Sequence, residues 1–568
     1  MNDMSISAAD SQLVDLLDME FEWFYLTKEG LSEAAVLTGL LDHGLFAEKV
    51  PPCFATVGLA AIVTESMAGL PEEPDPAKLR SNIDKCAHDY IRYESLRDIN
   101  IPRHLGIPHP EAYAVQALAI SKHWQEIATH SNKPKPQISQ IYVRHVGDGC
   151  IFEMNYKGSE RYQLEEEEIQ WRAGAQFVVK ADIASCFPSI YTHSIPWALH
   201  EKTKAKKSGS LTALAGNLLD KCTQNTRDRQ TNGLLIGPHA SNIVSEVVLT
   251  RIDAELQAKG YKKLTRHVDD YTFFADTFEQ AEKFVRDLGM CLRAYEMSLN
   301  DKKTRILDLP RPSTENWIQV LNRFAFPNDE EVRFPTVRSF LDLALECSQV
   351  AGKSTPLNYA IKTLAGSESP RKLNSRAKRS YVQEAVNLAI AYPYLVPLLD
   401  KFVFDRYWHD GIKQRIAEFS TSLVRLGLRK LYPDTIAHAL HYARKHGVKL
   451  ALDDADLIEV VALDDCVTNV LLLDYATQHN YGKFKKAIKK RSDELKSADL
   501  REKDKNWLLI YEMWSEKDLK GNGQAFLANL KSKGFKFLVA NEPEKDPATK
   551  DKAGIPAIPS QPQYTVNS

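Results

Sequence analysis

The stretch Leu264-Thr265-Arg266-His267-Val268-Asp269-Asp270-Tyr271-Thr272-Phe273-Phe274 decides how this chain is read. Two adjacent carboxylates sit between runs of β-forming residues, the pattern of a hairpin whose tight turn presents both acids. Upstream, Phe177-Val178-Val179-Lys180-Ala181-Asp182 is an apolar strand that ends in a third carboxylate. A strand end is a rigid mount for a metal ligand, so Asp182, Asp269 and Asp270 are expected to meet at one sheet edge. Oxygen clusters of this kind bind Mg²⁺, and two ions about 3.5–4 Å apart clamp the attacking and leaving oxygens of a phosphoryl displacement. An Asp-Asp pair alone says little: Asp453-Asp454 and Asp464-Asp465 stand in helical surroundings, where both pairs read as solvated surface. The strand-turn-strand setting and the partner acid on another strand set Asp269-Asp270 apart.

Two more blocks flank these acids in chain order. Gln230-Thr231-Asn232-Gly233-Leu234-Leu235-Ile236-Gly237-Pro238-His239-Ala240-Ser241-Asn242 is a glycine-punctuated turn opening a helix, where missing side chains would let backbone approach a base or sugar. Ser298-Leu299-Asn300-Asp301-Lys302-Lys303-Thr304-Arg305-Ile306 is an Asn turn leading into an alternating strand that offers Lys303. Taken singly, each reads as an ordinary turn. Further upstream, Tyr90 to Pro110 holds Pro102, Gly106, Pro108 and Pro110 and suits extended chain and turns.

Outward from these blocks, the 568 residues are enough for three or four domains on a prior of roughly 100–200 residues each. Hydrophobic residues at 43% and charged residues at 26% fit a folded chain with a large core rather than a disordered, collagen-like or membrane protein. No apolar run approaches the ~18 residues of a membrane span, and Met1 to Leu13 lacks a signal-peptide pattern, so a cytoplasmic protein is expected. The eight cysteines are scattered without a CxxC and read as reduced, packed thiols. A net charge of −2 decides nothing about nucleic acid, since a local basic groove is compatible with it.

Helical spacing from Leu13 to Tyr25, with Asp10 or Ser11 as caps, predicts a helical amino-terminal extension over residues 1–85. Strands and helices interleave up to about residue 325: helix over Ala112–Ile127, strands in Ile138–Val143, Gly149–Asn155 and Gln176–Asp182, a lysine-rich loop at Lys202–Lys207, then helices over Leu211–Gln224, Ala240–Lys259 and Thr277–Ser298. From Val337 to Lys531 only helix-length periodic segments follow, without a repeat of fixed period. The proline-containing tail, 541–568, reads as disordered. The fold class is α+β followed by an all-α half.

In order and content the blocks resemble the palm of reverse transcriptases: an aspartate strand with an aromatic five residues on, a GLxxGxxxSN block, an xxDD hairpin and an LNxxKT segment. Arg103-His104-Leu105-Gly106-Ile107-Pro108-His109-Pro110 is similar to the RxLGIP element of the fingers in group II intron and retron-like enzymes. Phe187-Pro188-Ser189-Ile190-Tyr191-Thr192-His193-Ser194-Ile195-Pro196-Trp197-Ala198, and Ile236 where those enzymes have Gln, look like the bacterial abortive-infection and defence-associated reverse transcriptases. The resemblance implies right-hand palm and fingers over 86–330, a HEAT-like helical domain over 331–540, and an antiphage DNA polymerase.

By that resemblance Asp182 and Asp269 bridge two Mg²⁺ ions, with Mn²⁺ as a substitute, and the Ile183 carbonyl and Asp270 are more peripheral. Arg103 meets the incoming triphosphate, Lys303 assists, Gly237 lies in the nucleotide-binding block, and Phe187 is the ring that excludes a ribose 2′-hydroxyl, which implies deoxynucleotides. Two departures stand out: His267 where Tyr or Phe is usual, and no FLG-type primer grip, with Trp317-Ile318-Gln319-Val320-Leu321 the nearest candidate. They suit members that start without a nucleic-acid primer, for which Tyr564 in the tail is a candidate priming hydroxyl. The implied partners are dNTPs, a DNA product, an RNA template in the templated members, and a second copy of the chain in a homo-oligomer. Basic groups at Lys202 to Lys207, Arg371 to Arg379 and Lys483 to Arg491 are candidate strips for a phosphate backbone. An RNA-templated, retron-like enzyme and a catalytically idle nucleic-acid-binding scaffold remain as alternatives.

Overall fold

The computed structural model describes residues 30–539 apart from 48–49, 68, 71, 99–100, 132–137, 145–149, 154–158, 313, 325, 327–330, 367–368 and 410. The helix expected from Leu13 to Tyr25 and the tail with Tyr564 therefore lie outside the described residues.

The proline-rich segment after Tyr90 is extended, as its composition suggests. Strands β1 (Tyr90–Arg97) and β2 (Ile101–Pro108) pair antiparallel as a two-stranded hairpin, with Arg103 opposite Ser95. Prolines 102 and 108 are tolerated because a two-stranded ribbon has only edge strands. Immediately after it, Pro110 starts the helix Pro110–Lys122, capped by the His109 ring, which accepts from the Glu111 N–H at 3.2 Å. This helix is buried around most of its circumference and ties the hairpin to the rest of the fold.

Short strands β3 (Tyr142–Val143) and β4 (Phe152–Glu153) pair with each other. The central sheet has four antiparallel strands in the order β6-β7-β5-β8: β5 is Phe177–Asp182, β6 Leu264–His267, β7 Asp270–Ala275 and β8 Arg305–Asp308. Its register places Asp182 opposite Asp270 and Lys180 opposite both Thr272 and Arg305. The helices His239–Ala258 and Phe278–Ala294 pack with this sheet and with each other; the second is capped by Thr277, whose hydroxyl accepts from the Gln280 N–H. Lys202–Lys207 is a short helix rather than the loop read from its lysines, and Lys202 lies 4.0 Å over the Trp197 ring. A cation–π contact and a methylene stem give such a lysine an apolar face to lie on.

From Phe334 to Ser532 the described residues form helices and no strands, as the periodicity predicts. Successive helices pair, for instance Ile412–Lys430 with Pro433–His446, where Gly427 lets Ile436 approach so closely that a Cβ would meet it at 2.4 Å. These helices do not stand apart from the first half. Asp434 accepts from the Tyr93 hydroxyl (2.5 Å) and the Leu96 N–H, Asp504 from the Asp89 N–H, and Asp98 from the Ser354 N–H, so three carboxylates clamp the helical half onto β1 and its turn. One apolar core runs from Leu31 to Phe537 through both halves. The architecture is thus α+β, palm and fingers with a helix-rich remainder wrapped onto the fingers.

Candidate active site

β5 buries Val178, Val179 and Ala181 and ends at Asp182, while β7 begins at Asp270, so the antiparallel register itself brings two carboxylates face to face. Asp269 lies in the turn between β6 and β7, and its carbonyl accepts from the Ile183 N–H at 3.3 Å. Asp182, Ile183, Asp269 and Asp270 are therefore together at one sheet edge. Burial, then the adjacent Asp269 and Asp182, push the Asp270 carboxyl up to about 7, with Lys303 and Lys180 opposing. Burial and Asp182 likewise raise Asp269, against its own backbone, Lys303 and His267. Asp269 and Asp270, raised by burial and set beside Asp182, are short of positive charge, and hard oxygen donors in such a group fit a divalent cation.

Lys303 supplies part of the missing charge. Its Nζ donates to Asp182 Oδ2 at 2.7 Å, Asn300 Nδ2 donates to Oδ1 at 2.9 Å, and the Asn300 N–H donates to the Asp182 carbonyl. Lys303 stands in the turn ahead of β8 rather than on the strand where its alternation put it. The cause is that Leu299 pairs antiparallel with Ile183 and the Asn300 N–H bonds the Asp182 carbonyl alongside the end of β5, so the turn folds back over the acid.

Arg103, half-buried on β2, has its pKa lowered by burial and by Arg97, with Asp269 pulling the other way; the fingers guanidinium is within electrostatic reach of the acids. Phe187, half-buried in the short helix Cys186–Ser189, accepts through its carbonyl from the Leu234 N–H at 2.8 Å, which joins the aromatic block to the glycine block. Gly237 differs from its expected role. The space a side chain would fill there holds Ala47 Cβ at 2.7 Å rather than an opening toward a base, and Leu235 packs in the same way against Gly106. These glycines let the block dock on β2 and on the segment before it, and the Gly106 N–H donates to the Ile236 carbonyl.

Other expectations are corrected by packing. Trp317 and Leu321, the nearest primer-grip candidates, are buried, and the Trp317 ring meets Tyr359 edge-on. Asp465 is not a solvated acid but the cap of the helix Cys466–Gln478, raised by burial to about 6, whereas Asp464 beside it is exposed and paired with Arg491. Of the basic strips, Arg371 lies over the Phe326 ring and Arg491 is held by Asp464 and Glu502. Ordinary surface and packing partners account for these two.

Sequence reasoning missed the charged network behind the turn. Arg266 is fully buried; its Nε and Nη2 donate to Asp253, and its Nη2 and Nη1 to Glu246, at 2.7–3.1 Å. Nη1 also donates to the Val268 carbonyl at 2.9 Å, and the Tyr271 hydroxyl donates to Asp253 at 2.8 Å. Glu246 and Asp253 are seven residues apart on the helix His239–Ala258, hence on one face. That spacing on a largely buried helix, with an arginine inside a short strand, was the available signal.

Residues 118–338 match the family described as reverse transcriptase (RNA-dependent DNA polymerase). No curated protein matches the chain. Among solved structures it is similar to apo telomerase from Candida tropicalis truncated from its C-terminal domain (11% identity, TM-score 0.28, covering 46% of this chain and 57% of that one). It is also similar to the apo telomerase of that organism (9%, 0.30, 66% and 68%) and to telomerase from Candida albicans in complex with a TWJ fragment of telomeric RNA (10%, 0.27, 62% and 65%). The chain spans 57% of the first of these structures. What bears on chemistry is the family match, which covers the segment holding all three aspartates. Residues 118–338 are a reverse transcriptase domain, a nucleotidyltransferase module of the RNA-directed DNA polymerase class, which works with divalent metal ions.

Proposed function

We propose that the whole chain is an active DNA polymerase of reverse-transcriptase type, serving bacterial antiphage defence in the cytoplasm as a homo-oligomer. The observation that carries the polymerase reading is the convergence of Asp182, Asp269 and Asp270 at one sheet edge inside the matched segment, with the Asp269 and Asp270 carboxyls raised by burial and by the neighbouring acids. Asp182 and Asp269 would hold Mg²⁺, with Asp270 and the Ile183 carbonyl beside them. Bound there, the ions supply the charge that favours a deprotonated primer hydroxyl and a leaving pyrophosphate. Arg103 orients the triphosphate through charge-assisted bonds. Lys303, paired with Asp182 at 2.7 Å, is placed beside the acids to assist Arg103 with the phosphates. Phe187 stands against the sugar and selects dNTPs over ribonucleotides.

The defence role rests on the resemblance of the Phe187–Ala198 and Ile236–His239 blocks and on the helix-rich second half. The same resemblance favours synthesis that starts without a nucleic-acid primer, with Tyr564 as a candidate acceptor. A second reading, an enzyme copying a dedicated RNA, is favoured by the RNA-dependent activity in the family's description. The test is incubation with Mg²⁺ and each labelled dNTP without added nucleic acid, followed by a denaturing protein gel, with Asp269→Ala as control. Label on the protein that the variant lacks supports self-primed synthesis. Label only after RNA is supplied supports the templated reading, and incorporation unchanged in Asp269→Ala overturns both.

A further inference from the structure

The turn that carries Asp269 has an unusual residue at its strained position. His267 and Asp270 pair across a two-residue loop, and of the two loop residues only Val268 has a positive φ, +55°. The first central position of such a hairpin turn favours glycine. A β-branched side chain is a marked outlier in the left-handed region, because its Cβ crowds the following carbonyl. Backbone held in this way persists only where its surroundings over-determine it.

The surroundings here are specific. The Val268 carbonyl receives Arg266 Nη1 at 2.9 Å, and the remaining donors of that guanidinium are spent on Glu246 and Asp253. Two carboxylates exceed what one guanidinium neutralises, and the Tyr271 hydroxyl gives Asp253 a further donor. The main chain of Arg266 is fixed as well: its N–H donates to the Ile138 carbonyl and its carbonyl accepts from Gln140, both at 2.8 Å. β6 therefore cannot slide, and the guanidinium is aimed at the turn from a fixed base. A planar fork with five donors meets both carboxylates and still reaches the Val268 carbonyl; a lysine, with three donors at one point, cannot reproduce that pattern.

We propose that Arg266 is a positioning residue: braced by Glu246 and Asp253, it holds Val268 in the left-handed conformation and thereby aims the Asp269 carboxylate at Asp182. This rests on the polymerase reading of those acids. Arg266 touches no substrate and acts through one peptide unit.

Two readouts test it in the full-length chain: amide hydrogen exchange across residues 264–275, and the Mg²⁺ concentration that half-saturates dNTP incorporation. Arg266→Lys should speed exchange in that segment, raise the Mg²⁺ requirement roughly tenfold and lower kcat by about a hundredfold, while KM for dNTP changes by less than about threefold. Adding Val268→Gly to Arg266→Lys should recover roughly tenfold in rate and much of the metal affinity, because glycine takes the left-handed conformation unaided. A merely structural arginine would not be rescued by a residue in the turn. If Arg266→Lys does not fold, Tyr271→Phe replaces it, with faster exchange and a metal requirement raised about threefold expected from the loss of one bond in the network. A folded variant with wild-type exchange and wild-type metal dependence overturns the proposal, as does a double variant without rescue. If the wild-type chain incorporates nothing, the polymerase reading falls, and exchange alone still decides whether Arg266 holds the turn.

Discussion

Two groups of carboxylates lie on either side of the same turn and have opposite fates. In front, burial and the neighbouring acids raise Asp269 and Asp270, while Asp182 is bonded by Asn300 and by the half-exposed Lys303. Behind, Glu246 and Asp253 are buried against a guanidinium that uses its planar fork on both. In the rear group every guanidinium donor is taken up by Glu246, Asp253 or the Val268 carbonyl, and the Tyr271 hydroxyl gives Asp253 one donor more. The front group is open, with more negative charge than its neighbours balance, so it favours cations from outside. Acidic residues alone do not mark a catalytic site; a deficit of partners at a partly accessible edge does.

The largest effect is expected from breaking the front group. Asp269→Ala should reduce incorporation by on the order of a thousandfold while leaving the fold intact, and chelation of divalent ions should do the same to the wild type. Assay of both on one preparation checks that the acids act through metal. Breaking the rear group outright should show in stability as well as in the metal dependence given above. Arg266→Met leaves two buried carboxylates uncompensated and should lower the unfolding free energy by about 3–5 kcal/mol, measured by denaturant titration.

A third charged group sharpens the comparison because it titrates. Burial opposes a charge on His88, but hydrogen bonds to Asp504 and Glu111 outweigh it and push the imidazole up to about 9. A histidine raised above its unfolded value stabilises most below about 6.5, and that contribution, on the order of 3 kcal/mol, is lost as pH rises toward 9. Thermal melts between pH 7 and 9.5 should therefore show falling stability, and His88→Gln should flatten the slope. Because Asp504 belongs to the helical half, proteolysis between the halves should quicken over the same range. The smallest effect belongs to the surface. Arg491→Ala, which removes the pairs with the exposed Asp464 and with Glu502, should cost less than about 1 kcal/mol in the same titration.

The front group was largely legible because its logic is local. Runs of β-forming residues in Phe177–Asp182 and Leu264–Phe274 mark three strands, and the acids fall where those strands end or turn. The rear group was harder to read. Arg266 sits in a strand of four residues, and its partners are 13 and 20 positions upstream on a helix whose other residues are mostly apolar. Gly237 was misread for a related reason. A glycine announces a close approach, but not what approaches, and here it is Ala47 from far upstream.

The sequence by itself determined the β-forming runs that make the central strands, the helical periodicity of the second half, and the placing of three aspartates at strand ends or turns, since each depends on residues close together in the chain. Tertiary structure alone decided that Lys303 folds back onto Asp182, that Arg266 supports the turn from behind, and that Asp434 and Asp504 grip the fingers hairpin from more than three hundred residues away. Those contacts join groups with no shared period in the chain. They form because burying a charge or a backbone N–H requires a partner, and only the folded core determines which partner is within reach.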